Sequence, residues 1–89
     1  SGTTASQKKS EFRSAWKKEE LNVDEADIGY CLTALMSLSK DDITTHEAYI
    51  RKKLLEIYEH YYEEAKSTVA SDLRKAICRV DEVLHIKEA

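Results

Sequence analysis

The chain contains almost none of the residues that make tight turns. Proline is absent from its 89 residues, and glycine occurs only at positions 2 and 29. Hairpins and short strand connections depend on Gly, Pro and Asn-Gly at particular turn positions. A β-rich fold is therefore disfavoured, and we expect an all-α chain whose helices are separated by short polar segments.

The composition is typical of a folded domain. Apolar residues make up 42% of the chain and charged residues 35%, which is too apolar for a disordered segment and too charged for a membrane span. A chain of this length has room for one core. We expect residues 1–5 to form a flexible tail and residues 6–89 to form a single helical-bundle domain with no membrane association.

Apolar residues at helical spacing predict about four helices. Their expected bounds are residues 6–20, 25–39, 45–66 and 69–87. In the first helix, Phe12 and Trp16 lie one turn apart and predict packing through two rings. The second helix has the broadest apolar face, so we expect it to be the central element. Asp24 is placed as its N-cap, and Gly29 is interpreted as a point of close helix packing.

The second half of the chain allows two interpretations. Thr44 and Glu47 form a capping-box pattern, which predicts a helix that begins near Thr45. After it, apolar residues recur every three or four positions without Gly or Pro. Either the last two helices fold back near residues 67–72, or one long helix runs over residues 45–87. That helix would be about 63 Å long, so a second chain would have to cover part of it.

The stretch EIYEHYYEEAKSTV, residues 56–69, contains three tyrosines. On a helical wheel Tyr58 and Tyr61 fall on the apolar stripe, so we expect both in the core. Tyr62 falls at the edge of the stripe, where a ring with a polar tip suits an interface. Tyr49 and His60 fall on the opposite, polar side.

Charge is unevenly distributed along the chain. Up to Lys18 there are five basic residues against Glu11 alone, whereas residues 19–49 contain eight acids against Lys40 alone. The two segments could neutralise each other within one bundle, or the first helix could bind nucleic acid or an acidic partner. Five cations beside an acidic segment are few for duplex binding, so nucleic acid is the lesser alternative.

The sequence lacks the patterns that carry catalysis or hold cofactors. It has no glycine-rich phosphate loop, no nucleophile elbow, and no His or Cys pairs at zinc-ligand spacing. We therefore expect no catalytic, cofactor or metal site. Cys31 and Cys78 lie among apolar residues and are expected to be reduced core thiols, which favours an intracellular location.

Residues 31–44, CLTALMSLSKDDIT, resemble the segment from helix two to the following loop in TFIIS N-terminal-like helical bundles, the group that includes the integrase-binding domain of LEDGF. The matching residues are Leu32, Ala34, Leu35, Leu38, Ile43 and Thr44. The glycine-containing turn and the terminal Trp of the family's later helices have no counterpart here. The resemblance implies a bundle of four or five helices that binds short linear motifs of disordered nuclear proteins, through the loop at residues 40–43.

Together these observations predict a non-catalytic protein–protein interaction module, or adaptor, that docks a short peptide motif or a partner helix. Under the resemblance it would act in transcription regulation. The candidate partner-binding residues are Tyr62, Lys40, Asp41, Asp42 and Ile43. The alternative is a homodimerisation or structural domain built on a long helix over residues 45–87. A third and less favoured function is nucleic-acid binding through the basic first helix.

Overall fold

The computed structural model describes residues 4–25, 27–61 and 68–88 of the chain. All regular secondary structure in these ranges is helical, so the predicted all-α class is confirmed. The elements are α1 (Ala5–Lys18), a short 3-10 helix (Val23–Glu25), α2 (Ile28–Met36), α3 (Lys40–Thr45), α4 (Glu47–Tyr61) and α5 (Thr68–Glu88). The short helix α3 is additional to the four helices that the sequence predicted.

Helix α1 begins with a capping box. The backbone N–H of Gln7 donates to the Thr4 hydroxyl at 3.1 Å, and the Thr4 N–H donates to the Gln7 side chain at 2.9 Å. These two bonds satisfy amides that have no partner within the helix. Thr4 is therefore the N-cap of α1 and Ala5 its first residue. Residues 1–3 of the expected tail lie outside the described residues.

Helix α1 packs through its two rings, as predicted. Trp16 has no exposed surface, and Phe12 is partly buried against the same core. The indole Nε1–H of Trp16 donates to the backbone carbonyl of Cys31 at 3.0 Å. Because a buried indole N–H needs a partner, this bond fixes α1 against the first turn of α2.

Helix α2 is the central element, which confirms the prediction from its apolar face. Leu32, Ala34 and Leu35 have no exposed surface. The helix makes its most extensive contacts with α1 and α5, which pack against it. The core of the described residues consists of Trp16, Leu21, Val23, Ile28, Cys31, Leu32, Ala34, Leu35, Leu38, Ile43, Ile50, Leu54, Ile57, Leu73, Ala76, Val80, Val83 and Leu84.

The predicted start of α2 is wrong. Asp24 does not cap this helix, because it lies inside the 3-10 helix, and its N–H donates to the Asn22 side chain at 3.1 Å. That local bond turns the chain and lets Val23 reach the core, where it is 5% exposed. Asp27 is the N-cap residue of α2, without a side-chain capping bond.

The packing role predicted for Gly29 is also wrong. A Cβ built at this position would meet only the Asp27 carboxylate, at 3.9 Å. Among the described residues, no neighbouring helix comes close enough to require a glycine.

Helices α3 and α4 meet at a one-residue break. Ser39 caps α3, since its hydroxyl accepts the N–H of Asp42 at 3.1 Å. Thr44 lies within α3, so the capping box predicted at Thr44 and Glu47 is wrong. His46 ends α3, and its carbonyl accepts the N–H of Ile50 at 2.8 Å, which starts the next helix at once.

The chain folds back between α4 and α5. Arg51 of α4 lies 3.8 Å from Asp81 of α5. In one straight helix these residues would be about 45 Å apart. The single helix over residues 45–87 is therefore wrong, and the folded-back interpretation is confirmed. α4 ends at Tyr61 and α5 begins at Thr68.

The segment between α1 and α2 lies along α4. The Tyr49 hydroxyl accepts the N–H of Leu21 at 2.7 Å, and its ring meets Trp16 edge-on at a centroid distance of 6.4 Å. The sequence placed Tyr49 on a polar face of α4, but this face is covered by the α1–α2 segment. No helix of the described residues is long and apolar enough to cross a membrane.

Candidate partner-binding site

Three large apolar side chains are exposed in the part of the chain that the structure describes. Leu55 is 57% exposed, Tyr58 46% and Ile77 38%. Single exposed apolar residues are common on protein surfaces and need no explanation. A group of them at one place is different, because a contiguous apolar surface is typical of a binding site.

Helical spacing and one ion pair place these three side chains together. On α4, Arg51, Leu55 and Tyr58 follow one another at four- and three-residue steps and so share a face. On α5, Ile77 and Asp81 share a face in the same way. Arg51 contacts Asp81 across the two helices at 3.8 Å, and both residues line one crevice together with Ile77. We call this crevice with its two borders the α4–α5 groove.

The floor of the α4–α5 groove is apolar. Leu54 and Val80 line it and are 7% and 1% exposed. The crevice has a volume of about 120 Å³, which is small for a ligand pocket of several hundred Å³. It therefore suits one or two apolar side chains of a partner better than an enclosed small molecule.

The arrangement of α5 explains why the groove is open. Helix α5 packs chiefly along α2 and only locally along α4, so the outer borders of the two helices are not covered by each other. Leu55 and Ile77 lie beside the buried positions Leu54 and Ala76. They extend the apolar surface from the core to the solvent.

The ion pair between Arg51 and Asp81 places charged groups at the α4–α5 groove but does not close the groove. Arg51 contacts Glu47 at 3.3 Å and Asp81 at 3.8 Å, and the Arg51 and Asp81 side chains are each 50% exposed. Exposed pairs of this kind contribute about 0–1 kcal/mol. A partner could therefore replace these contacts at little cost, and both charged groups are available to it.

Four of the five residues predicted from the sequence to bind a partner follow one another on α3, at positions 40–43. Lys40 and Asp41 are exposed on α3, and the Asp42 carboxylate lies 3.8 Å from Lys17. Ile43 has no exposed surface. It cannot contact a partner in this conformation, because its side chain is part of the core. Tyr62 lies outside the described residues.

The outcome for the neighbouring tyrosines is mixed. Tyr61 is partly buried and packs against the core, whereas the core position predicted for Tyr58 is wrong. The helical wheel places Tyr58 between the stripe centre and Leu55, a leucine outside the predicted stripe. That leucine was the available signal for a second, exposed apolar face.

The two cysteines lie in different environments, and both thiols are free. Cys31 has no exposed surface, and burial raises the pKa of its thiol to about 12. Cys78 is exposed, so the core position predicted for it is wrong. Among the described residues, no group of three or more His, Cys, Asp and Glu side chains could hold a metal ion.

A larger recess of about 460 Å³ lies between the start of α1, the start of α2 and α5. Its borders carry Lys9, Asp27 and Asp72, with Tyr30 and Thr33 between them. Ile77 lines the crevice between α4 and α5, whereas none of the three exposed large apolar residues lines this recess. The α4–α5 groove is therefore the better candidate for a site that binds an apolar partner surface.

Comparison with known proteins adds no assignment, since no family, no curated protein and no solved structure matches this chain.

Proposed function

We propose that this protein is a non-catalytic protein-interaction module whose α4–α5 groove docks an apolar segment of a partner protein. The partner segment is a short motif or one face of an amphipathic helix, two modes that place a few apolar side chains in a groove. Leu55, Tyr58 and Ile77 would provide the apolar contact, with Arg51 and Asp81 as polar contacts at its edge.

One observation carries this proposal: Ile77 lines the crevice together with Arg51 and Asp81. The other two exposed large apolar residues, Leu55 and Tyr58, follow Arg51 on the same face of α4. Interfaces place aromatic and aliphatic side chains at the centre of the contact and charged groups at the rim. The groove has this composition, with a tyrosine, a leucine and an isoleucine beside one ion pair.

The resemblance of residues 31–44 to TFIIS N-terminal-like bundles supports the same class of function, because those bundles bind short motifs of disordered nuclear proteins. Under this resemblance a role as an adaptor in transcription regulation is part of the proposal. The free thiols of Cys31 and Cys78 favour an intracellular location. The contact residues differ from those the resemblance implies, since Ile43 is buried.

Self-association is the second candidate function, and the same three exposed residues favour it. A second copy could cover Leu55, Tyr58 and Ile77 in a symmetric contact. This dimer would not need the long helix that the sequence allowed.

Light scattering coupled to size-exclusion chromatography separates the two candidates. The interaction module is expected to elute as a monomer at micromolar concentration. A dimer that becomes monomeric in the Leu55→Ser, Ile77→Ser double variant would replace our proposal with self-association.

A peptide-display selection then tests docking directly. Peptides selected on the wild-type protein should shift the backbone amide NMR signals of α4 and α5, and they should bind the Leu55→Ser, Ile77→Ser variant at least tenfold more weakly. The control is Lys75→Ser, an exposed position on α5 about 160° around the helix from Ile77. Selected peptides that bind both variants equally, or that shift other helices only, would show that the groove is not the site.

A further inference from the structure

One side of α1 is a second surface, and the charged residues that α1 contributes to it are all positive. Lys9, Arg13 and Lys17 follow one another at four-residue steps and therefore form one row along the helix. A second row beside it places serine hydroxyls next to these cations. The two rows enclose a shallow depression of about 440 Å³, lined by Ser10, Arg13, Ser14, Lys17 and Lys18.

Neutralisation within the bundle is incomplete at this face. Lys8 lies 3.7 Å from Asp27 and Lys17 lies 3.8 Å from Asp42, so part of the predicted neutralisation is present. Within the described part of the chain, Lys9, Arg13 and Lys18 form no ion pair.

The contrast with the rest of the chain is large. Residues 1–18 contain five basic residues and one acid, a net charge of +4, and the whole chain has a net charge of −3, which leaves −7 for residues 19–89. The one acid of α1, Glu11, lies about 160° around the helix from Arg13. The positive face is therefore local, and it would orient an approaching anionic partner.

We propose that this face of α1 binds an acidic segment of a partner protein. The cations of the row are spaced by about 6 Å along the helix. Carboxylates at alternate positions of an extended chain are spaced by about 6.6 Å, and those one turn apart on a helix by about 6 Å, so either matches the row. The hydroxyls of Ser10 and Ser14 add hydrogen-bond donors for the same carboxylates.

The surroundings of the row favour a peptide over duplex nucleic acid. Asp42 lies beside Lys17, and Asp41 is exposed on the same short helix. A single peptide chain that follows α1 comes close to the Asp42 carboxylate only at the Lys17 end of the row. A duplex is much wider than α1 and would bring phosphates towards these two carboxylates, where like charges repel each other.

This surface is separate from the α4–α5 groove, so the inference does not depend on the function proposed for that groove. The probe is a fluorescein-labelled twelve-residue peptide of alternating Asp and Ser, with an Asn-Ser peptide and a labelled DNA duplex as comparisons. Binding is measured by fluorescence anisotropy over a series of salt concentrations. We expect the Asp peptide to bind with an affinity that falls as salt rises, and the Asn peptide not to bind.

Two double variants with the same change of charge locate the site. Arg13→Glu with Lys17→Glu should weaken binding of the Asp peptide at least tenfold. Lys52→Glu with Lys75→Glu changes exposed residues on α4 and α5 and should leave the affinity within about twofold of wild type. Circular dichroism melts check that both variants fold.

If the first variant does not fold, Arg13→Gln with Lys18→Gln removes two charges without adding carboxylates beside Asp42, and it should weaken binding at least threefold. Equal losses in the α1 variant and the control would overturn the proposal, because the attraction would then be general. Tighter binding of the duplex than of the Asp peptide at the same salt concentration would overturn it as well, and so would no binding of the peptide at low salt.

Discussion

The Tyr49 hydroxyl gives the most direct test of how the segment between α1 and α2 is held. It accepts the backbone N–H of Leu21 at 2.7 Å, and it lies 3.5 Å from the carbonyl of the same residue. Leu21 is only 5% exposed, so water can replace the hydroxyl only in part. Tyr49→Phe leaves the ring in its edge-on contact with Trp16 and removes only the hydroxyl, with the N–H bond it accepts and the long bond it donates to the carbonyl.

The expected loss follows from the burial of the group left behind. A buried donor without a partner costs about 1–3 kcal/mol, and partial access of water favours the lower part of that range. We therefore expect Tyr49→Phe to lower the free energy of unfolding by about 1–2 kcal/mol. In a domain of this size, each kcal/mol lowers Tm by about 4–8 °C.

Thermal and urea unfolding followed by circular dichroism measure this loss, and Tyr30→Phe is the matched control. Tyr30 holds Lys8 over its ring at 5.3 Å, a contact that phenylalanine keeps, so its Tm should stay close to that of wild type. Faster hydrogen exchange at the Leu21 amide in Tyr49→Phe would locate the effect. Equal melting of Tyr49→Phe and wild type would refute the role assigned to the hydroxyl.

Three further predictions concern the core and the cysteines. Leu35→Ala should lower the free energy of unfolding by about 2–5 kcal/mol, measured by urea unfolding, and a change within error would contradict the central position of α2. Gly29→Ala should raise that free energy by up to about 1 kcal/mol, because alanine favours helix and the site has room for a Cβ; a lower Tm would mean that the site has no such room. A thiol reagent at pH 8 should modify Cys78 in the folded protein and Cys31 only after unfolding. Burial raises the pKa of the Cys31 thiol from about 9 in the unfolded chain to about 12. The stability that the neutral thiol contributes is therefore complete below pH 9 and is lost as the pH rises towards 12. Urea unfolding at a series of alkaline pH values checks this loss.

The fold class and the central helix could be predicted because they depend on properties that sum over many residues. Missing turn residues and apolar spacing are local signals, and each remains visible whatever the tertiary arrangement. Helix ends were harder to predict, since they depend on competition between adjacent caps. Ser39 with Asp42 is as good a capping pattern as Thr44 with Glu47, and the sequence alone does not show that the earlier pair begins a separate six-residue helix.

The candidate site was predicted poorly because a helical wheel shows which face is apolar but not which neighbour covers it. Tyr49 was expected on a polar face, yet the α1–α2 segment lies against it. Tyr58 was expected in the core, yet α5 leaves it 46% exposed. Both outcomes depend on where another element packs, and that arrangement is set by contacts between residues far apart in sequence.

The central position of α2 also determines the order in which this chain can acquire its structure. Helices α1 and α2 are neighbours in sequence, so the contact of Trp16 with the α2 backbone closes a short loop. Helix α5, which also packs against α2, brings its buried residues Leu73, Ala76 and Val80 about 40 residues later in the chain. Contacts at such separations form late, because a long loop must be closed before they can stabilise the fold. Until α5 has been synthesised, α2 lacks the cover that α5 provides, and the growing chain exposes apolar surface of the kind that chaperones bind.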